Sequence, residues 1–198
     1  MALLEVPYFS PRAQIVPSWN RVFRCGLLGG IILFSFIVTS KVLAREPVVS
    51  SESELKTAFV YQFTKYVRWP VSKRHDKRLV IGVAADDEMV DAISRLDGMT
   101  SQGMVIVVIP IKDVSDLKDV DFLYLGKGHI ADENIIEKAI KHHILTISDE
   151  DDATQKGVII GLYKADSRLR FNINLKVATK SNLKLSSRLL KLAGNLIK

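Results

Sequence analysis

Apolar residues along this chain fall first into one uncharged run, and then into a regular alternation of short apolar stretches and amphipathic ones. The run, "CGLLGGIILFSFIVTS" from Cys25 to Ser40, carries no charge. In "SESELKTAFVYQFTKYVRWP" (51–70), Leu55, Ala58, Phe59, Phe63 and Val67 recur at helical spacing. Ser51 and Glu54 form a capping box that opens this helix, and Pro70 stops it. "RLVIGVA" (78–84) is short and β-branched, a strand. "DDEMVDAISRLDG" (86–98) opens on acids that suit a helix N-terminus and ends at Gly98. "GMVIVVIPI", "DFLYLG" and "ILTIS" are three more buried strands, and "DENIIEKAIKHH" is a helix with Ile135, Ile136, Ala139 and Ile140 inward. "GVIIGLYK" and "RLRFNINL", joined by "ADS", read as an antiparallel hairpin. In the tail, Leu185, Leu189, Leu192 and Leu196 form one stripe, with Lys184, Arg188, Lys191 and Lys198 on or near the other face. That is the pattern of a basic amphipathic helix.

Strands alternating with helices predict an α/β fold: a mostly parallel sheet flanked by helices on both faces, with a C-terminal antiparallel hairpin and a closing helix. No repeat or low-complexity segment interrupts it, so residues 51–198 are expected to form a single domain.

The uncharged run changes the reading of charge. Arg12, Arg21 and Arg24 precede it and "KVLA" comes after it, the parts of a secretory signal peptide. Val42 and Ala44 occupy the −3 and −1 positions, so cleavage is expected between Ala44 and Arg45. Residues 1–44 are then the leader and 45–50 a linker. The run is short for the ~20 residues that span a bilayer, which makes an uncleaved anchor the lesser alternative and the only expected membrane contact. Both readings export the chain beyond the run. The whole chain has a net charge of +6. Losing Arg12, Arg21, Arg24 and Lys41 together with Glu5 brings it to +3, which gives no reason to expect a nucleic-acid partner. Cys25, the one cysteine, stands at the start of the run and inside the leader, so the exported domain forms no disulfide and rests on its core.

Candidate chemistry is sparse. "GVAADDE" places paired acids after a strand, with Thr146 and Lys164 ending later ones, as in a phosphoacceptor receiver domain. That chemistry needs a carboxylate at the end of the third strand, and "FLYLGKGH" has none. Asp86 and Asp87 therefore read as helix-capping acids. His75, His129, His142 and His143 show no zinc-ligand spacing, and no serine-hydrolase elbow, zinc-protease or phosphate-loop motif occurs. No catalytic residue, metal or cofactor is expected. Arg168 and Arg170 alternate with Leu169 and Phe171 and share one side of a strand; with Arg68 they are candidate contacts for an anion. The plainer reading is a solvated hairpin edge. Tyr61 and Trp69 fall off the helical stripe and are candidates for a partner surface, although a helix end tucked beneath the sheet accounts equally for Trp69-Pro70. Ser186 and Ser187 stand where the last helix begins and suit capping.

"TAFVYQFTKYVRWP" and "GVIIGLY…RLRFNINLKVATKSNLKLSSRLLKLA" resemble the YfiR family, over roughly residues 51–193. The residues that carry the resemblance are Phe59, Phe63, Trp69 and Pro70, then Gly157, Gly161, Phe171 and Asn174, then Leu185, Ser186, Ser187, Leu189 and Leu190, most of them structural. The resemblance implies a non-enzymatic domain in the periplasm of a Gram-negative bacterium, often a homodimer. Such a domain would restrain an inner-membrane signalling protein, a diguanylate cyclase or a sensor kinase, and so lower cyclic-di-GMP and biofilm formation. A small-ligand-binding or sensor subunit is the alternative. Some members of the family carry disulfides; the exported part of this chain has no cysteine, so a redox role is not implied.

Overall fold

A computed structural model describes residues 51–70, 77–129 and 133–198. The leader and linker, with Cys25, Ala44 and Arg45, lie outside the described residues, as does His75. Among the described residues, no helix is long and apolar enough to cross a membrane.

The first helix, α1 (Glu52–Thr64), starts at the expected capping box: Ser51 Oγ accepts from Glu54 N, and the Glu54 carboxylate accepts from Ser51 N. It ends sooner than expected. The tyrosine and β-branched residues of "YVRW" leave the helix after Thr64, and Val67–Arg68 becomes a two-residue strand, β1. The buried stripe is also rotated. Val60 and Phe63 face the core, flanked by Ser53, Thr57 and Thr64, while Leu55 is 41% exposed. These polar residues tolerate burial because their hydroxyls are bonded: Thr57 donates to Ser53 O at 2.8 Å, and Thr64 lies 2.7 Å from both Tyr61 O and Ser101 Oγ.

The alternation then proceeds much as the pattern requires: β2 (Arg78–Ala84), α2 (Asp87–Ser94), β3 (Thr100–Ser101), β4 (Met104–Pro110), a 3-10 helix (Val114–Asp119), β5 (Phe122–Leu125), α3 (Glu133–Lys141) and β6 (Leu145–Ser148). Asp86 caps α2 by accepting from Met89 N. β7 (Ile160–Ala165) and β8 (Arg168–Asn174) form the antiparallel hairpin. Its two turn residues, Asp166 and Ser167, both take positive φ, +50° and +57°, matching the twist of the flanking strands.

Eight strands form one sheet in the order β10-β8-β7-β6-β5-β2-β4-β3, where β10 is Leu196–Ile197. Five of them, β4-β2-β5-β6-β7, run parallel. From central β2 the chain steps out to β4, then returns to the other side of β2 for β5, β6 and β7. This is the doubly wound order, and the reversal places successive crossovers on opposite faces. Side chains alternate accordingly. Leu79, Ile81, Val83, Phe122, Tyr124, Leu145 and Ile147 meet α1 and α2 on one face, whereas Val80, Leu123 and Leu125 meet the 3-10 helix and α3 on the other.

The single basic tail helix is not what forms. The segment divides into α4 (Leu175–Lys180), β9 (Lys184–Leu185), α5 (Ser187–Leu192) and β10. Asn182 at φ +53° ends α4, and β9 pairs antiparallel with β1 as a separate ribbon. After Ala193 the backbone extends along β8, with Gly194 N donating to Phe171 O and Ile173 N to Asn195 O. Of the four stripe leucines only Leu189 is fully buried; Leu185 and Leu196 are half-buried, and Leu192 is 64% exposed.

Candidate functional site

The return past β2 opens a crevice at the carboxyl ends of the parallel strands, where neighbouring loops diverge. Ala85-Asp86 follow β2, Gly126-Lys127 follow β5 and Asp149 follows β6, and the first turns of α1 roof them. Glu52, Ser53, Lys56, Tyr124, Glu88 and His129 also line the resulting cleft of about 350 Å³. Gly126 keeps β2 and β5 close here: its amide donates to Ala84 O at 2.8 Å, and a Cβ on it would lie 2.8 Å from Ala85 Cβ.

Lys56 is the hub of the charged groups. Its ammonium lies 2.5 Å from Asp149 Oδ2 and 2.9 Å from a Glu52 oxygen. The Lys56 and Asp149 side chains are each 12% exposed. Burial works to lower the Lys56 pKa, but its bonds to Asp149 and Glu52 together outweigh burial and raise it. Lys164 also bonds Glu52. With Lys164 acting most and Lys56 next, the Glu52 carboxyl is held at about 2. Tyr124 is fully buried, and burial first, then the nearby Asp149 carboxylate, pushes its hydroxyl pKa far up. Tyr124 Oη and Asp149 Oδ1 are both buried, and the Asp149 carboxylate acts on the Tyr124 hydroxyl by hydrogen bonding as well as by charge.

Receiver chemistry finds no support in this crevice. The third parallel strand ends at Leu125-Gly126 with no carboxylate to phosphorylate, and Asp86 accepts the Met89 amide. Among the described residues, no group of three or more His, Cys, Asp or Glu is placed to hold a metal ion.

The residues singled out from the sequence are not united in one place. Arg168 and Arg170 do share one exposed side of β8. Arg68 lies in the separate ribbon opposite Lys184, and among the described residues none of the three side chains makes an ion pair. Trp69 is 7% exposed and its indole N–H donates to Asp121 O at 3.0 Å, so it is a buried anchor with no surface to offer a partner. Tyr61 is half-buried; its hydroxyl donates to Thr100 O, and Lys65 sits 4.1 Å from its ring centroid. Pro70, next to Trp69, is half-buried.

The remaining motif residues build the fold. Phe59, Phe63 and Phe171 stack edge-on, with centroids 5.0–6.1 Å apart, and fasten α1 to β8. Asn174 caps α4 by accepting from Val177 N and donates to Thr154 O. Gly157 takes φ +93° under Ile136, and Gly161 lies against Thr154, where a Cβ would sit 3.2 Å from its methyl. Ser186 caps α5 through Leu189 N, Ser187 opens that helix, and Leu190 packs half-buried on the core.

Sequence reasoning missed Lys56, Tyr124 and Asp149. Their only sequence signal is positional: Asp149 comes directly after "ILTIS", and Tyr124 brings a hydroxyl into an otherwise apolar strand. Their meeting depends on strand order, which the pattern of residues does not encode.

Fold and crevice together define a doubly wound α/β domain with a polar cleft at its switch point and no recognisable catalytic set among the described residues. The chain belongs to the YfiR/HmsC-like family, whose model matches residues 53–194. No curated protein matches it. Among solved structures it is similar to a conserved domain protein from Vibrio cholerae, at 12% identity and a TM-score of 0.48, over 73% of this chain and 60% of that one. It is similar also to an ABC domain from Streptococcus pneumoniae solved in complex with L-Trp, at 11% identity and a TM-score of 0.48, with the same coverage. The chain thus spans about three-fifths of the length of each.

Proposed function

We propose that this domain is a periplasmic regulator without enzymatic activity, which docks on the outer part of an inner-membrane signalling protein, a diguanylate cyclase, and holds it inactive. One observation carries the reading: the family match runs from residue 53 to residue 194, nearly the whole of the described domain. The family is one of regulators of membrane diguanylate cyclases. Docking represses by shifting a population. It stabilises the inactive cyclase only by the difference between its affinities for the inactive and active forms, and a tenfold preference is worth about 1.4 kcal/mol.

Deleting the gene in a strain that keeps its cyclases tests this. Cellular cyclic-di-GMP and biofilm mass should rise, and expression of the full chain in trans should restore both. Unchanged cyclic-di-GMP would overturn the reading. The alternative of a small-ligand-binding or sensor subunit using Arg68, Arg168 and Arg170 draws on the exposed side of β8 that Arg168 and Arg170 share, with Arg68 in a separate ribbon.

A further inference from the structure

We infer that the β1–β9 ribbon and α5 form a peripheral membrane-binding surface, whose partner is a bilayer rich in anionic phospholipid. The inference goes beyond the regulatory reading and does not depend on it.

Charge distribution carries it. No aspartate or glutamate occurs between Leu55 and Pro70, nor between Ser167 and Lys198. These are the two stretches that the ribbon brings together. Arg68 and Lys184 stand opposite each other in its register, both exposed, while Val67 and Leu185 pack on the core. Alongside, Ser186 N donates to Tyr66 O, and the Arg188 guanidinium sits 6.0 Å from the Tyr66 ring centroid. Among the described residues, none of Arg68, Lys184, Arg188 and Lys191 makes an ion pair. Dividing the tail into α4, β9 and α5 thus gathers its cations beside that of β1 instead of spreading them along one helix.

The opposite end of the domain has the opposite sign. α1 begins over the carboxyl ends of the parallel strands, where Glu52, Asp86, Glu88 and Asp149 outnumber Lys56 and Lys127. Its far end leads into β1, so the ribbon lies toward the amino ends. A negatively charged surface attracts one end and repels the other, which turns the ribbon inward and the crevice outward.

α5 favours a bilayer over an acidic protein. Arg188, Lys191 and Leu192 are neighbours at i, i+3 and i+4 on its exposed side. Leu192 is 64% exposed, more than any other large apolar side chain among the described residues. A leucine standing among cations matches headgroup contact: the charges meet phosphates and the side chain enters the acyl boundary. Lysine is depleted at protein interfaces but common on membrane-lying faces, and Lys180, Lys184 and Lys191 are all exposed here.

The test is co-sedimentation of protein purified from cells expressing the full chain. Vesicles of phosphatidylcholine alone are compared with vesicles of equal parts phosphatidylcholine and phosphatidylglycerol. The anionic vesicles should bind about a hundredfold tighter or more, and about 0.3 M salt should remove most of that advantage. Arg68→Gln with Lys184→Gln should weaken anionic binding about thirtyfold, at roughly fivefold per charge, and leave Tm unchanged. Lys180→Gln with Lys191→Gln, outside the ribbon pairing, should act likewise. Lys112→Gln with Lys127→Gln removes the same charge at the other ends of the strands and should change binding about twofold or less. Leu192→Ala should weaken it several-fold and leave Tm unchanged or higher. Equal binding to both kinds of vesicle, or equal losses in the ribbon and control variants, would overturn the inference. So would failure on lipid vesicles combined with capture by native inner-membrane vesicles that protease treatment abolishes, an outcome that gives this face to an acidic protein.

Discussion

The two faces of the sheet are built from different materials, and β5 shows it within four residues. Phe122 and Tyr124 point to the face under α1 and α2, Leu123 and Leu125 to the face under α3. The first face is aromatic at its centre and long-range in sequence: Phe59 and Phe63 on α1 meet Phe171 on β8, and Leu183 and Leu189 from the tail pack there as well. The second is aliphatic and nearly local, drawn from Val80 to Val158. The polar cleft opens at the rim of the first. Closing a contact over a hundred residues costs more chain entropy than closing a local one, and the larger aromatic contacts are what offset that cost. The face that holds the cleft is thus the one whose integrity depends on both ends of the domain.

Phe63→Ala should have the largest effect. Phe63 is 2% exposed and touches both other rings, so its loss should cost about 4 kcal/mol in urea denaturation. Leu123→Ala on the opposite face should cost about 3 kcal/mol. Hydrogen exchange then sharpens the contrast. Phe63→Ala should speed exchange in α1, β8 and α5 before α3, whereas equal acceleration in α3 would show that the two faces open as one unit.

The ion pair at the cleft comes next. Asp149→Ala leaves Lys56 buried without its main acceptor, and should cost about 2–3 kcal/mol, at or just below the range for breaking buried pairs. Replacing both members, Lys56→Met with Asp149→Leu, should recover most of that loss. A double variant as unstable as the single one would mean that the pair itself, and not the stranded charge, holds α1 over the strand ends.

How much of this could be read from the chain differs by region. The strands from Arg78 to Ser148 were legible because each is a short apolar run bounded by capping acids or glycine, so that local pattern and final structure agree. Asp86 and Ser186 were legible as caps for the same reason. In the tail, spacing misled. Leu185, Leu189, Leu192 and Leu196 obey helical period, but Leu185 and Leu196 are claimed by strands that pair with β1 and β8. Tertiary pairing overrides a weak local preference in segments of so few residues. Trp69 stood between a partner surface and a tucked position beneath the sheet, and the choice rests on an acceptor, Asp121 O, that lies 52 residues away. The cleft was the least legible part. Lys56, Tyr124 and Asp149 belong to three elements, and only the doubly wound strand order brings them together.

Acid should produce the smallest and most selective effect. Glu52 titrates at about 2 in the fold against an ordinary 4.5, because Lys164 and Lys56 bond its ionised form. A depressed folded pKa contributes stability that is present above pH 4.5 and is lost as pH falls from 4.5 toward 2. The side chain is 45% exposed, so solvent and salt screen the interaction and its contribution stays below about 1 kcal/mol. Glu52→Gln should therefore leave stability at pH 7 only slightly lower and flatten its decline between pH 4.5 and 2. Raising salt to about 0.5 M should narrow the gap between the two proteins. Leu123→Ala, on the aliphatic face, should shift the whole curve downward without changing its slope in that window. If Glu52→Gln and the parent chain declined in parallel, the carboxylate would not be tying α1 to β7, and the charged rim would not distinguish the two faces.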